Sequence, residues 1–203
     1  MKKDQIKEFN YDSLQKQYFS GQGLIAKKMK KVVSKIGSGD LLLNIGCGTG
    51  ELLNRVKDKF KLVYGMDGNV DAISSCSKRF LNYENVRVIK CDVAELNRKF
   101  KGTEFDYITA LDVFRACTMD VARKCLKGIY MLLMKGGRFI FTGPNWYDKI
   151  GIKLGKSKLH KISHSSYGWA KMIEKSGLKI ISIDTVDFPI LRDYDFLTKH
   201  LHF

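Results

Sequence analysis

Leu41-Leu42-Leu43-Asn44-Ile45-Gly46-Cys47-Gly48-Thr49-Gly50-Glu51 is the stretch whose reading decides the fold. The apolar run Leu41 to Ile45 predicts a strand buried on both faces, since only strands covered by helices on each side lose the polar alternation. Three glycines at alternate positions follow, then Glu51-Leu52-Leu53-Asn54-Arg55-Val56, whose apolar spacing is helical. A strand, a glycine turn and a helix start make a site for a nucleotide-like cofactor. Glycine lets backbone N–H groups approach a ligand with no Cβ in the way, and the helix N-terminus adds its positive end. The spacing is G-x-G-x-G. The dinucleotide fingerprint G-x-G-x-x-G needs glycine at position 51, where this chain has Glu51, so a pyrophosphate would face a carboxylate there.

Working outward, four more strands follow. Lys61 to Met66 ends on Asp67, Val86 to Cys91 on Asp92, and Phe105 to Leu111 on Asp112. Arg138 to Thr142 follows the turn Lys135-Gly136-Gly137. Helical patterns at about 50–58, 69–80, 94–99 and 118–134 separate them. That alternation predicts a parallel sheet with helices on both faces. Asp67, at the tip of the strand after the glycine turn, is placed to accept two charge-assisted hydrogen bonds from a ribose diol. The alternative for Asp67, and equally for Asp92, is a helix N-cap.

The series resembles the class I S-adenosylmethionine-dependent methyltransferases. The matching stretches are Asn44 to Gly50, Gly65-Met66-Asp67, Lys90-Cys91-Asp92-Val93, Phe105-Asp106-Tyr107-Ile108, and Leu133 to Phe139, and the likeness covers about residues 40–188. The resemblance implies an α/β fold: a Rossmann-like three-layer sandwich with a mostly parallel sheet, seven-stranded in the family. Leu178 to Phe188 alternates well enough for a sixth strand, and a helix over about 165–176 precedes it, ended by Gly177. Only 193–203 remains for the seventh strand, which is expected to be short or absent. The expected organisation is a single domain over 1–203, with an N-terminal helical lid (1–37), a cofactor-binding core (38–145) and an acceptor-side segment (146–203).

The implied cofactor is S-adenosyl-L-methionine, leaving as S-adenosyl-L-homocysteine. By the same resemblance Gly46, Cys47 and Gly48 offer backbone to the methionine part and the ribose. Asp67 holds the ribose, with Gly68 and Asn69 under the adenine edge. Asp92, flanked by Cys91 and Val93, accepts from the adenine amino group, and Leu111 lies beside the sulfonium. Asn44 stands where the family has Asp or Glu; it can accept a hydrogen bond but has lost the charge. Tyr18, in a leading segment that covers the cofactor in relatives, is either a lid contact or a packing residue.

On the acceptor side, Leu111-Asp112-Val113-Phe114-Arg115-Ala116 resembles a subgroup acting on small molecules, quinone precursors and glycans. Relatives often have an acid-His pair where this chain has Arg115-Ala116. Arg115 would then pair with an anionic group of the acceptor or with the cofactor's carboxylate, or else form a surface salt bridge. Asp112, Asn145, Trp146 and Tyr147 would border the acceptor pocket, with helix-face packing as the alternative for the two aromatics. His164 matches a histidine preceding the late helix; it would serve as base or hydrogen-bond donor, or simply cap that helix.

Composition narrows the partners. The chain has 203 residues and a net charge of +15, from 28 lysines and only eight arginines among its cations. Base and phosphate readers favour arginine's planar fork, so small-molecule or glycan-like acceptors are expected ahead of nucleic acid. Leu24 to Ile36 predicts an amphipathic helix with Leu24, Ile25, Met29, Val32, Val33 and Ile36 inward and Lys27, Lys28, Lys30, Lys31 and Lys35 toward water. No run reaches the roughly 18 apolar residues of a membrane span, and no secretory leader is evident. Five cysteines without C-x-x-C spacing suggest neither a disulfide framework nor a metal site, and suit a reducing cytoplasm. The expected activity is methyl transfer to O or N of the acceptor. The rivals are an RNA methyltransferase using lysines around 149–161, against which the Asn-Pro-Pro-Tyr type motif is missing, and a catalytically silent cofactor-binding module.

Overall fold

The computed structural model of this chain describes residues 23–143, 166–186 and 193–199. The strands are β1 (Gly39–Ile45), β2 (Phe60–Asp67), β3 (Val86–Lys90), β4 (Phe105–Leu111), β5 (Leu133–Gly143), β6 (Lys179–Val186) and β7 (Asp193–Lys199). They form one sheet in the order β3-β2-β1-β4-β5-β7-β6. β1 to β5 pair in parallel, while β7 runs antiparallel to both of its neighbours, β5 and β6. The seventh strand is therefore present. Tyr194–Lys199 pairs residue by residue with Arg138–Gly143, a backbone ladder that needs no apolar alternation in its own sequence.

The helices are α1 (Gly23–Lys35), α2 (Glu51–Val56), α3 (Val70–Arg79), α4 (Leu96–Lys99), α5 (Met119–Leu132) and α6 (Ser166–Lys175). They divide between the two faces. Leu43, Ile45, Ile108, Phe139 and Phe141 pack with α5 and α6 through Leu126, Ile129, Trp169 and Ile173. Their strand neighbours Leu42, Tyr107 and Ile140 point the other way, onto Met29, Val32, Leu53, Val56 and Cys76 of α1, α2 and α3. This alternation makes three layers. Burial of each such Leu, Ile or Phe contributes about 1.5–3 kcal/mol. A six-residue helix such as α2 could not persist without it.

Two local features differ from expectation and one matches it. The fifth strand begins at Leu133 rather than Arg138, and its register against β4 jumps from Phe105↔Leu133 to Tyr107↔Arg138. The Lys135-Gly136-Gly137 turn is thus a bulge inside the strand. α6 ends as expected at Gly177, whose N–H donates to the Glu174 carbonyl at 3.0 Å. Lys28, expected on the wet face of α1, is only 7% exposed. Among the described residues no helix is long and apolar enough to cross a membrane.

Candidate active site

β1, β2 and β4 all end at one edge of the sheet, where Ile45 pairs with Met66 and with Ala110. At that edge β1 breaks into the glycine turn. The Cys47 N–H donates to the Met66 carbonyl at 2.9 Å, tying the turn to β2, and the Gly50 N–H closes it onto the Cys47 carbonyl at 2.9 Å. Gly46 has φ +68°, and a Cβ there would come within 2.5 Å of Val113 Cγ2. Glycine is required on both counts. Gly48 also has positive φ, but a Cβ on it, or on Gly68, would meet nothing within 4 Å. Open space thus lies against both.

Asp67 stands between them. Its Oδ2 accepts from the Gly48 N–H at 3.0 Å and its Oδ1 from the Asn69 N–H at 2.9 Å. Asp67 is therefore not the cap of α3. Asn69 takes that place, accepting from the Ala72 N–H at 2.9 Å. On β3's tip the capping alternative holds for Asp92, which accepts from the Ala94 N–H at 2.8 Å. Cys91 and Val93 flank it, with the Cys91 N–H donating to the Asp67 carbonyl at 3.0 Å.

Asn44, paired in register with Gly65 and Thr109, is 3% exposed. Its Oδ1 accepts from Thr109 Oγ1 at 3.1 Å, and its amide NH2 has no partner among the described residues. Glu51 is no anion repeller. It lies buried between Arg55 at 2.9 Å and Arg79 at 3.1 Å, joining α2 to α3. The Cys47 thiol is pushed well up from its ordinary pKa, first by its hydrogen bond with the Cys76 thiol and then by burial, so it stays protonated at neutral pH.

The β4 tip differs. Leu111 ends the strand, and Asp112 follows in a left-handed conformation, φ +59°. Lys28 Nζ reaches across from α1 to Asp112 Oδ1 at 2.9 Å and Oδ2 at 3.1 Å. Buried Thr142 donates to Asp112 Oδ1 at 3.1 Å and accepts the Asp112 N–H at 3.0 Å. Sequence reasoning missed this network, because a lysine on a lysine-rich helix carries no mark of burial. Arg115 stands in the 3₁₀ turn Val113–Ala116 just beyond. Tyr18, Asn145, Trp146, Tyr147 and His164 lie outside the described residues. Among the described residues no cluster of His, Cys, Asp and Glu could hold a metal ion.

The methyltransferase domain family matches residues 36–184, most of the chain. This protein belongs to that family. Its fold is that of the class I S-adenosylmethionine-dependent methyltransferases. An uncharacterised protein of Methanocaldococcus jannaschii is 32% identical over 149 residues, 70% of this chain and 53% of that relative. The chain thus spans about half the length of that curated relative. A chain of the complex between the Haloferax volcanii Trm112 methyltransferase activator and a methyltransferase superposes with TM-score 0.77 at 14% identity, over 95% of this chain and 96% of that one. The magnesium protoporphyrin IX methyltransferase of Synechocystis with bound S-adenosylhomocysteine superposes with TM-score 0.74 at 18% identity, over 95% of each chain. At such identities these two likenesses speak for the fold.

Proposed function

We propose that this chain binds S-adenosylmethionine across the Gly46–Gly50 turn and Asp67, and transfers its methyl group to O or N of a small-molecule or glycan-like acceptor. One observation carries the reading: Asp67 bridges the glycine turn and the start of α3, with open space at Gly48 on one side of it and at Gly68 on the other. The residues fit the cofactor. Asp67 keeps lone pairs for a ribose diol beyond the two backbone bonds it accepts. Gly68 and Asn69 underlie the adenine, whose amino group faces Asp92 between Cys91 and Val93. Asn44, Gly46, Cys47, Gly48 and Leu111 border the methionine end. The Asn44 amide NH2, buried and without a partner among the described residues, is a polar group that a ligand would satisfy.

The cofactor supplies an activated methyl group on a sulfonium, so no metal or redox partner is needed for transfer. The protein's part is orientation, which can supply roughly 7–11 kcal/mol at the upper end. Asp112 borders the acceptor with its charge offset by Lys28, so it serves as a hydrogen-bond acceptor rather than a free base. Arg115 meets an anionic group of the acceptor. His164 takes up the acceptor's proton where one must leave, and Asn145, Trp146 and Tyr147 line the acceptor pocket. In this reading residues 1–37 form the lid, 38–145 the cofactor core and 146–203 the acceptor side of a single domain. The five cysteines, all buried and none in a disulfide, suit a cytoplasmic setting.

Calorimetric titration with S-adenosylhomocysteine tests the cofactor half. Stoichiometric binding that disappears in Asp67→Ala is the expected result; no binding to the wild type would end this reading. Transfer of a labelled methyl group from the cofactor into a small-molecule fraction of cell extract tests the acceptor half.

A further inference from the structure

A groove lined by none of the residues of the proposed cofactor site lies on the helical face. α5 and α6 run side by side over the sheet and enclose a groove of about 720 Å³. Met119 and Met172 contribute apolar lining. Its cations are Arg123, Lys124 and Lys127 from α5 and Lys171 and Lys175 from α6, all exposed. Arg123 is paired with Asp120 at 2.9 Å. The four lysines have no ion-pair partner among the described residues. Ser176 is the one side-chain hydroxyl of the lining, and it is already used, donating to the Ile173 carbonyl at 2.6 Å. The lining side chains therefore present positive charge and thioether surface, with almost nothing to read a specific polar pattern.

The placement is regular. Lys171 and Lys175 lie one helical turn apart, about 6 Å, and so do Arg123 and Lys127. One turn before Lys171 on the same stripe stands Tyr167, which is 73% exposed. A bilayer surface cannot enter a recess of this kind. A small phosphate ligand would need converging buried donors, and the lining offers flexible surface lysines instead. A chain with regularly spaced charges and stackable faces suits two rows of lysines and an exposed aromatic ring.

We propose that the groove between α5 and α6 binds the backbone of single-stranded nucleic acid, with phosphates along Lys124, Lys127, Lys171 and Lys175 and a base stacked on Tyr167. This goes beyond the methyl-transfer reading and holds whether or not the acceptor is nucleic acid. The site makes no use of sequence, and nothing in the groove distinguishes ribose from deoxyribose.

The test is fluorescence anisotropy of a labelled 12-nucleotide oligouridylate with the full chain. Four phosphate contacts predict that affinity falls about 50-fold between 50 and 200 mM salt. In the triple variant Lys124→Ala/Lys127→Ala/Lys171→Ala that drop shrinks to about threefold. The control triple Lys27→Ala/Lys30→Ala/Lys78→Ala removes equal charge from the opposite face and leaves the salt dependence as it was. Tyr167→Ala weakens binding roughly tenfold without changing the salt dependence. S-adenosylhomocysteine titration of each variant separates this site from the cofactor site: unchanged cofactor binding is expected, and a chain that binds no cofactor at all can still pass the anisotropy test. Equal losses in the two triples would assign binding to net charge and overturn the groove. Capture by phosphatidylserine vesicles with no response to oligouridylate would overturn it in favour of a membrane surface. An unaffected Tyr167→Ala would remove the stacked base.

Discussion

Two strand tips on one sheet edge end in carboxylates, Asp67 after β2 and Asp112 after β4, and their surroundings are opposite. Asp67 accepts from two neutral backbone N–H groups and has no ion-pair partner among the described residues. It has lone pairs to spare. Asp112 is gripped by buried Lys28 and by Thr142, in a left-handed backbone that non-glycine residues seldom adopt. The difference separates the proposed ligand seat from a structural joint. A carboxylate fixed by neutral donors is preorganised for hydroxyl donors of a guest. One neutralised by a cation from another helix fastens that helix, here α1, to the sheet edge.

Breaking the seat has the largest expected effect. Two charge-assisted bonds to a diol, each about 1.5–3 kcal/mol, put the loss of S-adenosylhomocysteine affinity in Asp67→Ala at about 100-fold or more. Asp112→Asn should change that affinity less than fivefold, about 1 kcal/mol. If calorimetry finds the two variants equally impaired, the contrast between seat and joint is lost.

Breaking the joint should act on stability instead. Lys28→Met leaves a carboxylate without its cation. Removing one partner of a fully buried pair costs about 3–5 kcal/mol. The Asp112 side chain is 36% exposed, so about 1–3 kcal/mol is expected in urea unfolding. The double variant Lys28→Met/Asp112→Asn should regain much of that, since asparagine tolerates the left-handed backbone and leaves no charge behind. A double variant as unstable as the single one would show that α1 is held by its apolar face alone.

Much of the framework of the proposed seat was legible in the sequence, and the joint was not. The glycine turn, the apolar β1 run and Asp67 are local: each follows from residue type and from position within a strand-turn-helix unit. The same holds for the Gly177 cap and the Asp92 cap. Lys28 and Asp112 stand 84 positions apart, and nothing in the amphipathic pattern of α1 distinguishes Lys28 from the lysines around it. β7 was hard to read for a related reason. Its place is set by the ladder offered by β5, rather than by its own Asp-Tyr-Asp-Phe-Leu. Asn69 shows a subtler miss: it is the residue that caps α3, which frees Asp67 from the capping role that sequence alone left open to it.

Gly46 joins the two regions, since it begins the turn and touches Val113 of the β4 side. Gly46→Ala would combine a left-handed backbone penalty of about 1–2 kcal/mol with overlap against Val113 Cγ2. Loss of both thermal stability and cofactor affinity is expected. Adding Val113→Ala should relieve the overlap and leave only the backbone part. If the second substitution restores nothing, the strain of the turn itself sets the requirement for glycine.

The finest test concerns Asn44, the one position in the seat that lacks the family's charge. In Asn44→Asp, Thr109 Oγ1 can still donate to the new carboxylate, but no described cation reaches it and the site is 3% exposed. Burial raises the folded pKa of such an aspartate above its unfolded value near 4. The sign follows: below that unfolded value both states are protonated and the variant loses nothing, whereas the penalty grows as pH rises from the unfolded value to the folded pKa and is full above it. A loss of about 1–2 kcal/mol at neutral pH is expected, fading in acid. The proposed ligand carries an ammonium group at this end. Added S-adenosylmethionine should therefore raise the melting temperature of Asn44→Asp by more than it raises that of the wild type. Equal shifts would mean that the ammonium does not lie at Asn44, and the methionine end of the seat would have to be drawn elsewhere.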